Sequence, residues 1–226
     1  MSDLNPKQLN LFIKLALLVL VIFTILIIVR SFYGSKALKD SEEYLASLTN
    51  VAVQTSEPSL TEPITRATDP TLGNADAKNK IVVYSDFQCP YCATAMQVLA
   101  QLLKQHPIDL LITWKDFPNP DHPQAQGAAV VARCAAAQNK FWDFHDYLYA
   151  NQDQLGPSLY PQIVASLKMD LNTFNQCNDN QIGLPLVEEN FTEAMGLRLD
   201  GTPYLFVNNQ KYVGAINVAE LEKMLK

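Results

Sequence analysis

Residues 80–105 read KIVVYSDFQCPYCATAMQVLAQLLKQ, and the order of their parts decides the fold. Lys80 to Ser85 is a short β-branched run, which reads as a buried strand. A turn follows, then Cys89-Pro90-Tyr91-Cys92. From Ala93 to Gln105 the spacing of Met96, Leu99, Leu102 and Leu103 predicts a helix with one apolar face. Pro90 falls at the first helical position, where its missing N–H costs nothing. Cys89 therefore stands where a strand hands over to a helix. The unpaired N–H groups and positive dipole end of such a helix stabilise a thiolate. An ionised, accessible thiolate is the species that attacks disulfides. Cys92, one turn later, is expected to be mostly buried and to resolve the mixed disulfide.

Two other readings of Cys89 and Cys92 compete. Half of a zinc site would need a second close ligand pair. The chain has no second Cys-x-x-Cys, and His106, His122 and His145 form no His-x3–5-His pair. An inert structural disulfide is the other reading. The strand–turn–helix setting favours redox chemistry, with the Cys89–Cys92 disulfide itself as the redox group, no metal and no further cofactor.

Outward from this stretch, Ile108 to Trp114 reads as a second strand. Between about residues 121 and 195, Ala-rich and aromatic helical segments follow one another, among them QAQGAAVVARCAAAQ and KFWDFHDYLYAN. Strand character returns at Tyr204-Leu205-Phe206-Val207. Asn208-Asn209-Gln210 looks like a hairpin turn into Lys211-Tyr212-Val213, and Val218 to Leu225 closes as a helix. The order is strand, helix, strand, helical insertion, two strands, helix. It predicts an α/β domain over 69–226, with a mixed sheet and helices on both faces.

Leu11 to Val29 reads LFIKLALLVLVIFTILIIV, with Lys14 its one charge. As a helix this run spans roughly 28 Å, close to the hydrocarbon thickness of a bilayer. Residues 1–30 are expected to form a cytoplasmic tip and a transmembrane anchor, with 11–29 in the lipid. A cleaved signal peptide is the competitor; its apolar stretch is usually shorter and ends at a small-x-small site, which Arg30-Ser31-Phe32-Tyr33 does not offer. Residues 31–68, which include TSEPSLTEPITRATDP up to its last two residues, are expected to be an extracytoplasmic linker. The net charge is −6 with no basic stripe, which argues against nucleic acid as a partner.

Taken together, Tyr84 to Cys92, Lys115-Asp116-Phe117-Pro118, Phe141-Trp142-Asp143-Phe144-His145 and Gly201-Thr202-Pro203 resemble the DsbA-like branch of the thioredoxin superfamily. The resemblance implies a thioredoxin fold interrupted by a helical domain, acting on disulfides in the periplasm or its equivalent. It makes Thr202-Pro203 the cis-proline loop beside the active disulfide, and gives Thr202 and Pro203, with Pro90 and Tyr91, a substrate-contact role. It also exposes a departure. Relatives often carry a buried Glu six residues before the first cysteine; here that position is Val83. Asp86 is the nearest carboxylate, read as a turn cap with proton transfer as the alternative.

Four cysteines suit one redox motif and one longer pair, so Cys134 and Cys177 are expected to form a structural disulfide within the insertion. His145, among aromatics, is expected in the insertion core; His122 reads as a helix entry, with an approach to the active site as the alternative, and His106 as a helix terminus. The leading functional expectation is a monomeric dithiol oxidase that donates its disulfide to exported proteins and is reoxidised by a membrane partner. A reductase or isomerase, and a membrane-tethered chaperone-like binding module with a vestigial disulfide, stand as alternatives.

Overall fold

The computed structural model describes residues 17–18, 20–25, 27–28, 30, 60–212 and 216–226. The chain divides into two compact units, Met1–Glu57 and Pro58–Lys226. In the first, the described residues between 17 and 30 are helical, and Leu17, Leu20, Phe23 and Ile28 are largely exposed. Among the described residues no helix is long and apolar enough to cross a membrane. The rest of the expected anchor, residues 31–59 of the expected linker, and Val213 lie outside the described residues.

The second unit runs β1 (Thr71–Gly73), β2 (Asn79–Ser85), α1 (Pro90–Gln105), β3 (Leu110–Asp116), α2 (Ala125–Ala136), α3 (Phe141–Ala150), α4 (Tyr160–Ser166), α5 (Leu171–Asp179), α6 (Leu184–Gly196), β4 (Tyr204–Val207), β5 (Gln210–Lys211) and α7 (Val218–Glu222). The sheet order is β1-β3-β2-β4-β5. Central β2 pairs parallel with β3, with Ser85 opposite Asp116, and antiparallel with β4, with Val83 opposite Leu205. Residues 81–85 are buried without interruption because both faces of β2 are covered. Alternation divides them. Ile81 and Val83 join the large core with Leu99, Leu102, Trp114 and Phe144, whereas Val82 and Tyr84 join a smaller one with Phe206, Ala194 and Leu197.

The insertion takes shape around α2. Its small side chains, Ala128, Ala129, Ala132 and Ala135, are all buried and let neighbouring helices approach closely. Gly183 shows how close: a Cβ there would lie 2.6 Å from the Val130 carbonyl oxygen of α2. A disulfide joins Cys134 of α2 to Cys177 of α5. The last helix of the run, α6, crosses to the smaller core, so the insertion caps one face of the sheet and reaches round to the other.

Three features differ from the sequence expectation. Strand β1 was not anticipated; three residues carry no periodic signal, and it is recognised only by its antiparallel pairing with β3. Packing also begins before residue 69. Leu60 N–H donates to the Gly196 carbonyl at 3.0 Å, and Ile64 N–H to Glu193 Oε1 at 3.0 Å. Buried Lys115 sits between Asp69 at 2.7 Å and Glu193 at 3.2 Å and donates to the Ile64 carbonyl, while Arg66 pairs with Glu193. Arg133 of α2 binds Asp116 at 2.6 Å and the Thr68 carbonyl at 2.8 Å. The polar composition of 60–68 therefore serves a buried charge network rather than solvation alone. The hairpin turn is shorter than read: Asn208 and Asn209 take φ of 50° and 66°, a two-residue primed turn that Asn tolerates, and Gln210 already pairs in β5.

Candidate active site

Strand β2 delivers the chain to Cys89, which takes the N-cap position of α1 with extended backbone (φ −79°, ψ 119°). Pro90 occupies the first helical turn. The Cys92 and Ala93 N–H groups close the helix start on the Cys89 carbonyl at 3.1 and 3.3 Å. Cys89 and Cys92 are both free thiols. The Thr202–Pro203 peptide bond is cis, and the Cys89 thiol points at the Thr202 carbonyl oxygen, 3.5 Å away. The two ends of the domain that the sequence separates are thus brought to one sulfur.

The sulfur is less accessible than the sequence suggested. Cys89 is 5% exposed, because the Thr202–Pro203 loop lies beside it; Tyr91 next to it is 75% exposed and Pro90 is exposed too. Cys92 is fully buried. This asymmetry separates the two thiols electrically. A hydrogen bond from the Cys92 thiol is the largest influence on Cys89. With the N–H of Cys92, the Thr202 side chain and the N–H of Tyr91, it outweighs burial and brings the Cys89 pKa down to about 6. Cys92 is pushed strongly up, first by burial and then by its bond to Cys89. At pH 7 a group with that pKa is about nine-tenths thiolate, so one thiol is a nucleophile and its neighbour a held proton.

The turn before Cys89 is held from several directions. Asp86 is buried; its Oδ1 accepts the Gln88 N–H at 2.7 Å, and its Oδ2 accepts the Asn119 N–H at 2.9 Å and meets His122 Nδ1 at 2.7 Å. These contacts make Asp86 the cap of the active-site turn, and no hydrogen bond joins its carboxylate to either sulfur among the described residues. The Asp86 backbone N–H lies 3.5 Å from Cys92 Sγ. From the insertion, Gln152 Nε2 donates to the carbonyls of Phe87 at 2.7 Å and Cys89 at 3.1 Å. Behind the turn, Ser85 Oγ and Tyr149 Oη are 2.8 Å apart, and Tyr149 also donates to the Asp86 carbonyl at 3.3 Å.

A family model described as thioredoxin matches residues 65–226. The chain belongs to the thioredoxin family. Among curated relatives, the Na(+)/H(+) antiporter NhaA 3 of Salinispora tropica is 33% identical over 160 residues, covering 70% of this chain and 24% of that protein. NhaA 1 of Mycolicibacterium gilvum is 30% identical over 171 residues, covering 74% of this chain and 28% of that protein. The chain therefore spans about a quarter of the length of these relatives. Among solved structures, oxidised BdbD from Bacillus subtilis matches with a TM-score of 0.64 at 21% identity, over 72% of this chain and 95% of that one. The thiol-disulfide exchange protein alpha-DsbA2 from Wolbachia pipientis matches with 0.63 at 21% identity, over 70% and 85%. This thioredoxin-family domain thus has the fold of the DsbA-type proteins, helical insertion included.

Within that fold the sequence-predicted residues fall into two groups. Cys89, Cys92, Pro90, Tyr91, Thr202 and Pro203 converge on one site. Cys134 and Cys177 sit apart, in the insertion. His145 is buried in the aromatic cluster of Phe87, Trp114 and Trp142, and burial lowers its pKa. His122 reaches the active-site turn through Asp86. Ser85, Tyr149 and Gln152 were not anticipated; none has a motif, and their partners lie more than sixty residues away in sequence.

Proposed function

We propose that this protein is an extracytoplasmic thiol–disulfide oxidoreductase that donates disulfides to exported proteins through Cys89 and Cys92. The observation that carries this reading is the pair of unequal thiols at a helix start beside the cis Thr202–Pro203 loop. In the oxidised enzyme a substrate thiolate attacks Cys89 Sγ, and the Cys89–Cys92 bond breaks toward Cys92. A second substrate thiolate then attacks the substrate sulfur of the mixed disulfide. The substrate leaves with its disulfide and Cys89 leaves as a thiolate, which this site stabilises. A leaving thiol of low pKa departs faster. Extended substrates meet the exposed Tyr91 and the Thr202–Pro203 loop. A membrane partner reoxidises the dithiol.

Thiolate stabilisation alone does not set the direction of transfer. A pKa of about 6 favours the reduced form by about 1.4 kcal/mol at pH 7, or about 30 mV for a two-electron couple. Known enzymes of this chemistry differ by about 150 mV. The deciding measurement is the potential of the 58–226 unit within the full chain, equilibrated in glutathione buffers. A value near about −120 mV supports the oxidase, and one near about −270 mV assigns a reductase instead. Cys89→Ser should abolish turnover; unchanged activity would leave only a binding module.

The same proposal places residues 11–29 in the membrane, with the catalytic unit outside the cytoplasm. Its support is the apolar run, uninterrupted from Leu15 to Val29, and the exposed leucines and isoleucines of the helical residues between 17 and 30. Alkaline carbonate washing of membranes should leave the protein in the pellet, and added protease should reach residues 58–226 only from the extracytoplasmic side.

A further inference from the structure

We propose that the cavity between α1 and α3 is a binding site for a single phenol ring, whose hydroxyl donates to Nε2 of His145. The cavity measures about 310 Å³, the size of a small-ligand pocket. Helix α1 lines it with Ala93, Gln97 and Ala100, and α3 with Trp142, His145 and Tyr149. In each helix these positions recur after three or four residues, so each set shares one face. Ala93 and Ala100 stand two turns apart, about 10 Å, and their small side chains leave room opposite the rings of α3. The floor is Leu72 and Ile112, which face each other across β1 and β3. An apolar floor and a wall of rings suit a flat, apolar ligand.

One polar atom in that wall has no partner. His145 is 3% exposed, and its Nδ1 lies 2.8 Å from Asp146 Oδ1. A carboxylate oxygen accepts, so Nδ1 carries the ring proton. Burial holds the ring toward neutrality, which leaves Nε2 as a lone-pair acceptor. Nε2 is buried and has no hydrogen-bond partner among the described residues. The donors around it are committed elsewhere. Trp114 Nε1 donates to Asp116 at 2.7 Å, Trp142 Nε1 to the Thr71 carbonyl at 2.7 Å, and Tyr149 Oη to the Asp86 carbonyl at 3.3 Å. Their rings surround the imidazole, with centroids 5.0, 5.0 and 4.8 Å from it. Buried acceptors are almost always paired, so a ligand that brings a donor here gains more than its apolar contact.

These features select the ligand. A bare ring would leave Nε2 unpaired, and a charged group would lose its hydration against Leu72 and Ile112. A phenol brings the ring and the O–H donor together. Its oxygen can also accept from the amide of Gln97, which lines the same cavity; an indole N–H offers no such acceptor. A free phenol and the tyrosine side chain of a polypeptide share this chemistry. The site goes beyond the oxidoreductase reading and involves no electron transfer. Ala93 follows Cys92 directly in the chain, yet neither Cys89 nor Cys92 lines the cavity.

The test is titration of the full chain, nitrogen-15-labelled at histidine and tryptophan, with p-cresol at free concentrations fixed by dialysis. The Trp142 indole N–H supplies the binding curve, and the His145 ring nitrogens report the contact. Binding should move the Nε2 resonance upfield and leave Nδ1 nearly in place. Toluene, the same ring without the hydroxyl, should bind at least about fivefold more weakly and leave Nε2 unmoved. His145→Phe, which keeps a ring and removes the acceptor, should weaken p-cresol at least about fivefold. Ala100→Leu, at an exposed position of α1, should weaken it as much by filling the cavity, and tests the site even where His145→Phe does not fold. N-acetyltyrosinamide separates the sources: affinity equal to that of p-cresol assigns a tyrosine side chain, and binding of p-cresol alone assigns a free phenol. Equal affinity for p-cresol and toluene, a stationary Nε2 resonance, or parental binding by the variants would overturn the site. Each of these results leaves the oxidoreductase reading untouched, because that reading stands or falls on turnover by Cys89.

Discussion

Replacing Cys92 by Ala should raise the pKa of Cys89. The Cys92 thiol is the largest single influence holding Cys89 at about 6, so its removal takes away a hydrogen bond to a charged sulfur. Such a bond contributes about 1.5–3 kcal/mol. Water entering the space left by Sγ returns part of it, and the helix-start N–H groups and Thr202 remain. A net loss of about 1.4 kcal/mol is one pKa unit, which puts Cys89 near about 7 in the variant. At pH 7 the ionised fraction then falls from about nine-tenths to about one half, and at pH 6 from about one half to about one tenth. The assay is the rate of iodoacetamide alkylation as a function of pH, checked by the ultraviolet absorbance of the thiolate. Cys134 and Cys177 are bonded to each other and do not interfere. Superimposable curves for parent and variant would refute the role given to Cys92. A parent midpoint at the ordinary thiol value would refute the ionisation of Cys89 altogether.

Cys134→Ala combined with Cys177→Ala should destabilise the domain by up to about 4 kcal/mol, from the loop of 43 residues that the bond closes, measured as a shift in urea midpoint. Glu193→Gln should cost about 3 kcal/mol at neutral pH by leaving Lys115 and Arg66 under-compensated. Burial alone would raise the Glu193 pKa; the bonds from Tyr84 and Arg66 and the charge of Lys115 hold it below its ordinary value instead. Its contribution is therefore present above the ordinary carboxylate range and lost as pH falls through the lowered value, so parent and variant unfolding curves should converge in acid; a constant gap would refute the assignment. Asp86→Ala should loosen the active-site turn by removing the acceptor of two backbone N–H groups and the partner of His122, costing about 2–3 kcal/mol. Faster amide exchange at Gln88 and Asn119 checks it.

Much of the chemistry was legible before any fold was known, for local reasons. A β-branched run, a cysteine, a proline and a helical repeat are each set by the conformational preferences of a few consecutive residues. Their order alone places Cys89 at a helix start and Cys92 one turn behind it. The Ala-rich composition of α2 announced a helix; how closely its neighbours pack on it did not show until the fold was known. The DsbA-like resemblance then located Thr202 and Pro203, which no periodicity would have linked to Cys89.

What the tertiary structure alone decided is whatever depends on strand register and on residues far apart. Thr202 meets Cys89 across 113 positions, and Tyr149 meets Ser85 across 64. Ser85 reads as one more strand residue until the pleat of β2 turns it toward α1 and the insertion brings Tyr149 against it. Likewise nothing in the sequence pairs Lys115 with Asp69 and Glu193; they become a buried network only because β3, α6 and the leading segment close over them. Local chemistry chooses strands, helices and the reactive sulfur. Burial and partner choice, which govern how that sulfur ionises, follow from distances that exist only in the folded chain.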